Sequence, residues 1–111
     1  MSDLGETLGA LADPVRRGVV ELLQKGPRRA GEIAASLDLS PPAMSRHLRV
    51  LRQSGLVMED HQGDDARVRV YSLKPEPFRQ MRRWLDDVEA FWTLELDSFR
   101  KHVEKTRGKG K

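Results

Sequence analysis

Ser45, Arg46, Arg49, Arg52 and Gln53 fall on one side of a single short stretch, residues 41–53. Their hydroxyl, guanidinium and amide groups are suited to polyanions and to the edges of bases. An arginine fork matches the two acceptors of guanine, and a serine hydroxyl reads several bases weakly. The opposite side carries Met44, Leu48 and Leu51 at i, i+4 and i+7, the apolar stripe of an amphipathic helix. Ser40 stands where an N-cap belongs, since its hydroxyl can accept from an amide of the first turn. Pro41 follows at the first helical position, where its missing N–H costs nothing. Gly55 ends the helix as a residue free to take positive φ. An arginine face is also what any solvated amphipathic helix presents, so the neighbouring elements decide its meaning.

Before this helix, Ile33, Ala34 and Leu37 form an apolar stripe at i, i+1 and i+4, and Asp38-Leu39-Ser40 breaks the period. Two short helices joined by a tight turn, over about residues 30–54, make a helix-turn-helix. In that motif the second helix enters the major groove of DNA with its N-terminal residues at the base edges. After Gly55 the period changes. Residues 56–61 read as a strand, Gln62-Gly63-Asp64-Asp65 as a turn, and residues 68–73 as a second strand in which Val68, Val70 and Ser72 alternate with Arg69, Tyr71 and Leu73. A hairpin over about residues 56–73, directly after the second helix, is the position of a wing. Arg67 and Arg69 are its cations, available to phosphate or to the minor groove. Asp64 and Asp65 at the tip oppose such a contact, and a plain structural hairpin is the alternative.

Other elements must position this face. Leu4, Leu8 and Leu11 at i, i+4 and i+7 predict a helix over residues 3–11. Asp13 as N-cap and Pro14 at the first position start another, with Val15, Val19, Leu22 and Leu23 inward, Arg16 and Arg17 outward, and Gly26-Pro27 ending it. Arg28 and Arg29 read as a connector. Pro75-Glu76-Pro77 punctuates again. Phe78, Met81, Leu85, Val88, Trp92, Leu96, Phe99 and Val103 then step by 3, 4, 3, 4, 4, 3 and 4, close to a heptad seam over residues 78–105. Trp84 and Phe91 broaden it. A helix of about 28 residues spans roughly 42 Å, more than so small a core covers. Its far end is therefore expected to bury its apolar face on a second copy of the chain, although folding back over the first helix is the single-chain alternative. Residues 106–111 read as a disordered basic tail.

The 111 residues suit one domain, expected over residues 1–105, with one modest core. An apolar fraction of 38% and a charged fraction of 33% describe a charge-rich chain, and no apolar run approaches the roughly 20 residues of a transmembrane helix. The acidic N-terminus has no basic n-region, so no signal peptide is expected and the cytoplasm is the expected compartment. With no cysteine, disulfides, thiolate metal sites and thiol redox sensing are excluded together. The formal charge of +3 is a mild basic bias, and its distribution says more. The basic residues gather on the second helix of the motif, at Arg67 and Arg69, and beyond Arg100. His47, His61 and His102 are scattered, with no pair at ligand spacing. Ser45 and His47 stand two apart on a helix, so they face different directions and form no catalytic dyad. No enzyme is expected.

Four segments together resemble the ArsR/SmtB-type winged-helix repressors. They are Leu11-Ala12-Asp13-Pro14-Val15-Arg16-Arg17, the run from Ser40 to Leu51, Ser54-Gly55-Leu56-Val57, and Arg69-Val70-Tyr71-Ser72-Leu73. The Phe91-Trp92 pair looks like the branch of small autorepressors without metal-binding cysteines. The resemblance spans about residues 4–104. It implies a mainly α fold with a small β-hairpin (a winged helix-turn-helix, α+β, with a long C-terminal dimerisation helix). It further implies a homodimer built on the first and last helices, repressing transcription from an operator. Family members that sense metals through the last helix use Asp-x-His and His-x-x-His or Glu. Here Phe99 stands two positions after Asp97 and Lys105 three after His102, so neither half of that site is present. No metal and no cofactor are expected. The sequence identifies no small-molecule effector but leaves room for one.

The expected DNA-binding set is Ser40, Pro41, Pro42, Ser45, Arg46, His47, Arg49, Arg67 and Arg69. His47 is there as a phosphate donor, with helix packing as its equal alternative. The expected dimer set is Leu4, Leu8, Leu11, Leu85, Val88, Trp92, Leu96 and Phe99. The expected partner is a near-palindromic double-stranded DNA operator, with no membrane partner. Two other readings stay open: a protein-interaction winged helix without specific DNA binding, and a metal-responsive repressor with a non-cysteine site.

Overall fold

The computed structural model describes residues 3–61 and 68–109, with the side chains of the last helix described as far as Lys105. In chain order the elements are α1 (Leu4–Ala10), α2 (Pro14–Leu23), β1 (Arg28–Arg29), α3 (Ala30–Ser36), α4 (Pro41–Gln53), β2 (Val57–His61), β3 (Arg69–Leu73) and α5 (Pro75–Lys109). The predicted turn at residues 62–65 and Arg67 lie outside the described residues. Two compact units divide the chain, Met1–Arg79 and Gln80–Lys111.

The helix starts follow from their caps. Asp3 accepts from the Gly5 amide at 2.8 Å, and Asp13 from those of Val15 and Arg16 at 2.8 and 3.1 Å. Ser40 accepts from Ala43 at 3.3 Å, with Pro41 and Pro42 in the first turn of α4. Helix α3 has no short polar side chain at its start. Instead Glu32, in its first turn, reaches back to the Arg29 amide at 3.4 Å.

The turn between α3 and α4 is a Schellman motif. Leu39 N–H donates to the Ala34 carbonyl at 2.9 Å and Asp38 N–H to that of Ala35 at 3.3 Å. Asp38 takes the left-handed conformation, φ 54°, that glycine usually fills there. Helix α4 ends in the same motif. Leu56 donates to Leu51 and Gly55 to Arg52, with Gly55 at φ 77°.

Among the described residues the sheet has three strands, not the two of a simple hairpin, in the order β1-β3-β2, all antiparallel. Arg28 pairs with Tyr71 and Arg29 with Val70, so the expected connector is a short edge strand. Two residues are too few to show alternation; β3 defines this strand by pairing with it. In β2, Glu59 lies opposite Tyr71 and His61 opposite Arg69.

The core of the first unit gathers Val19, Val20 and Leu23 of α2, Ile33 and Ala34 of α3, Met44, Leu48 and Leu51 of α4, and Leu56 and Val57. Val20 is buried where Leu22 was expected, and Leu22 packs at the margin with Val15, Leu11 and Phe78. Burying such side chains stabilises by about 1.5–3 kcal/mol each. It also fixes which way α4 faces.

Helix α5 starts earlier and runs further than residues 78–105. At 35 residues it is about 52 Å long at 1.5 Å per residue, and it takes in Thr106 to Lys109 of the stretch expected as disordered tail. Arg107 and Lys109 are good helix formers and the stretch holds no proline, so the helix continues through Gly108, which costs about 1 kcal/mol relative to alanine. In the second unit the apolar seam is open. Trp84, Leu85, Phe91, Trp92, Leu94, Leu96 and Phe99 are 42–68% exposed. Among the described residues no helix is long and apolar enough to cross a membrane.

Candidate nucleic-acid interface

Helix α4 presents two different surfaces. Met44, Leu48 and Leu51 are 1%, 3% and 0% exposed, whereas Pro41, Pro42, Ser45, Arg46, Arg49, Arg52 and Gln53 are open to solvent. Because the buried stripe is packed on α2, α3 and the sheet, the polar face has one outward direction. Ser40, Pro41, Pro42, Ser45 and Arg46 sit together at its N-terminal end, the positive end of the helix dipole. Arg49 stands one turn beyond Ser45.

His47 differs from its neighbours. It is half-buried, and its charge acts on Asp13, the N-cap of α2. Asp13 is held below the ordinary carboxylate range, chiefly by the Arg16 amide. Burial works against that, and the Val15 amide and the charges of Arg16 and His47 reinforce it.

Arg16 and Arg17, expected to point into solvent, fold back over the joint instead. Arg16 Nε donates to the Ala10 carbonyl at 2.7 Å, and Arg17 Nη1 to those of Leu11 and Ala12 at 2.9 and 3.2 Å. The carbonyls at the end of α1 have no partners within their own helix. The Leu11-to-Arg17 segment is thus a reciprocal joint: its aspartate caps the helix that follows, and its arginines cap the one that precedes.

The wing cation Arg69 is 59% exposed, and its guanidinium is not free. Arg69 Nη1 lies 2.8 Å from Glu59 Oε1, and Arg52 of α4 pairs with the other oxygen of the same carboxylate. The Tyr71 hydroxyl donates to Glu59 Oε2 at 3.2 Å. Burial pushes the Tyr71 hydroxyl above its usual pKa, and the Glu59 charge adds to this. The Glu59 side chain is 13% exposed. It is the residue sequence reasoning missed, and the signal for part of the cluster was present: hairpin pairing puts Glu59 opposite Tyr71. The approach of Arg52 is tertiary and has no local signature.

Among the described residues, no three His, Asp or Glu side chains come together to hold a metal ion. Leu8, Leu85, Trp92, Leu96 and Phe99 of the expected dimer set are exposed, Leu4 and Val88 partly so. Leu11 packs against the core of its own unit.

An outward polar helix in a helix-turn-helix, followed by a sheet that carries a cationic wing, defines a winged helix-turn-helix protein of the DNA-binding regulator class. The sequence pattern described as bacterial regulatory protein, arsR family, matches residues 13–59. The HTH-type transcriptional regulator Rv2034 of Mycobacterium tuberculosis is 39% identical over 95 residues, covering 86% of this chain and 83% of that protein. The transcriptional repressor SdpR of Bacillus subtilis is 32% identical over 76 residues, 68% of this chain and 81% of that one. The crystal structure of an ArsR family transcriptional regulator superposes with a TM-score of 0.73 at 34% identity, covering 81% of this chain and 96% of the other. The chain belongs to the ArsR family. It is a transcriptional regulator, and the family and these relatives are regulators rather than enzymes.

Proposed function

We propose that the chain acts as a homodimeric repressor that occupies a near-palindromic operator. The observation that carries this is the one-sided exposure of α4: its apolar stripe is buried, and Ser45, Arg46 and Arg49 face outward at the groove-entering end. In this reading Arg46 pairs bidentately with guanine, Ser45 reads beside it, and Arg49 takes base or phosphate. Ser40, Pro41 and Pro42 lie against the backbone. Arg67, outside the described residues, is the phosphate cation of the wing. Arg69 has its guanidinium on Glu59. Base contacts specify and phosphate contacts position.

The second copy follows from α5. A row of tryptophan, phenylalanine and leucine side chains, each more than two-fifths exposed, is far more apolar surface than a lone helix leaves in water. A two-fold dimer on this seam, with Leu4 and Leu8 of α1 contributing, presents two α4 helices to successive major grooves, roughly 34–36 Å apart. Repression, rather than activation, is supported by relatives named as repressors.

The test is fluorescence anisotropy with the chain's own promoter and with random duplex, beside sedimentation of the free protein. The expected result is a dimer that prefers the promoter by at least about a thousandfold. Equal affinity for both duplexes overturns the operator reading and favours a protein-interaction role, and a monomer at micromolar concentration overturns the dimer.

A further inference from the structure

The Glu59 cluster draws on three elements: Glu59 from β2, Arg69 and Tyr71 from β3, and Arg52 from the last turn of α4. One carboxylate serves two guanidiniums that are 49% and 59% exposed, and it is itself 13% exposed. These are the cations that a DNA backbone running past α4 and the wing would meet. Arg69 also lines a shallow open cleft with Arg29, Gly31 and Tyr71.

We infer that Glu59 is an internal rival of the DNA phosphates: it occupies Arg69 and Arg52, and so lowers the number of backbone contacts the wing makes. The inference rests on the DNA-binding reading above and concerns how that interface is tuned. The geometry favours the rival. A partly buried carboxylate is screened by salt much less than a phosphate approaching through solvent. The Tyr71 hydroxyl donates to Glu59 Oε2 and fixes the carboxylate toward the arginines. The strand register supplies the rest, because Glu59 faces Tyr71 directly and Arg69 lies two residues along β3 on the same face. A phosphate that recruited Arg69 would meet a guanidinium whose Nη1 is already bonded at 2.8 Å and whose charge Glu59 already balances. The wing thereby carries cationic residues without their full non-specific attraction for DNA.

Counterion release makes this measurable. Each phosphate neutralised contributes about 0.9 to the slope of log affinity against log salt. Glu59→Gln keeps the size of the side chain and removes its charge. Promoter binding by Glu59→Gln is expected to show a slope steeper by about one to two. Between 50 and 200 mM salt that is about a three- to fourfold larger loss of affinity per freed guanidinium. Arg69→Gln should leave the slope unchanged in the wild-type background and lower it by about one in the Glu59→Gln background. A Glu59→Gln slope equal to or shallower than wild type overturns the inference and makes Glu59 a strut. So does a fall of about one on Arg69→Gln in the wild type, and that arm is readable even if Glu59→Gln fails to fold. Wild-type binding with no salt dependence would instead sink the DNA-binding reading, and this inference with it.

Discussion

Arg69 reaches diagonally across the sheet to Glu59, not to the residue it pairs with. Its strand partner is His61, yet its Nη1 lies 2.8 Å from Glu59 Oε1. Alternation puts residues 59, 69 and 71 on one face, and diagonal neighbours on such a face are within reach of long side chains. Because Glu59 also holds Arg52, the wing and the end of α4 are fastened to each other through one carboxylate. The orientation of the outward helix therefore depends on the sheet as well as on the core beneath it.

Arg46→Ala tests the reader. The residue is exposed at the N-terminal end of α4 and makes none of the intramolecular hydrogen bonds described above, so its removal should leave the thermal midpoint in place. Operator affinity should fall, and preference at one base-pair position should flatten by about 1–3 kcal/mol. Competition binding with a set of single-base operator variants measures this. An unchanged preference profile removes Arg46 from the residues that read sequence.

Asp13 gives stability a pH dependence of known sign. Its folded pKa is lowered, chiefly by the Arg16 amide. Its contribution is thus fully present above the ordinary aspartate range and is lost as pH falls through the lowered value. Urea midpoints across the acid range should fall in step with this loss. Asp13→Asn keeps a good N-cap without the charge, so it should flatten the acid limb while leaving the neutral midpoint nearly as high. An acid limb identical in the variant assigns the loss to other carboxylates.

Much of this fold was legible because its signals are local. Ser40 with Pro41, Asp13 with Pro14, and the stripe of Met44, Leu48 and Leu51 are each set by neighbours within a turn or two. The outward face of α4 followed from that stripe alone. What the sequence concealed was tertiary. Strand β1 exists only through its pairing with β3. Arg16 and Arg17 look like surface cations until the end of α1 is placed beside them. The bond between Arg69 and Glu59 follows from the strand register, which is fixed only once the two strands are paired.

Trp92→Ala tests the proposed dimer seam. Trp92 is 59% exposed in the second unit, with Phe91, Leu96 and Phe99 exposed along the same helix. Truncating a central aromatic anchor in such an interface costs about 2 kcal/mol or more, roughly thirtyfold in dissociation constant. Sedimentation over a concentration series should show the variant dissociating where the wild type does not. The first unit has its own core, so the circular dichroism of α1 to β3 should survive. A variant as firmly dimeric as the wild type places the interface on another surface.

Asp38 tests the turn that sets α3 against α4. Its φ of 54° closes the Schellman motif, and a non-glycine residue in that region costs roughly 1–2 kcal/mol. Glycine removes the strain, but it loses about 0.5–1 kcal/mol more backbone entropy on folding. Asp38→Gly should therefore be neutral or stabilising by up to about 1 kcal/mol, a rise of a few degrees in Tm for a domain of this size. Asp38→Val should be clearly destabilising, since a β-branched side chain is a poor fit to positive φ. Asp38 is exposed and both variants remove the same carboxylate, so the difference between them reports backbone conformation. Equal midpoints for glycine and valine would mean that the turn relaxes to another conformation at little cost. The geometry between α3 and α4 would then be held by Ile33, Met44 and Leu48 in the core, and not by the turn.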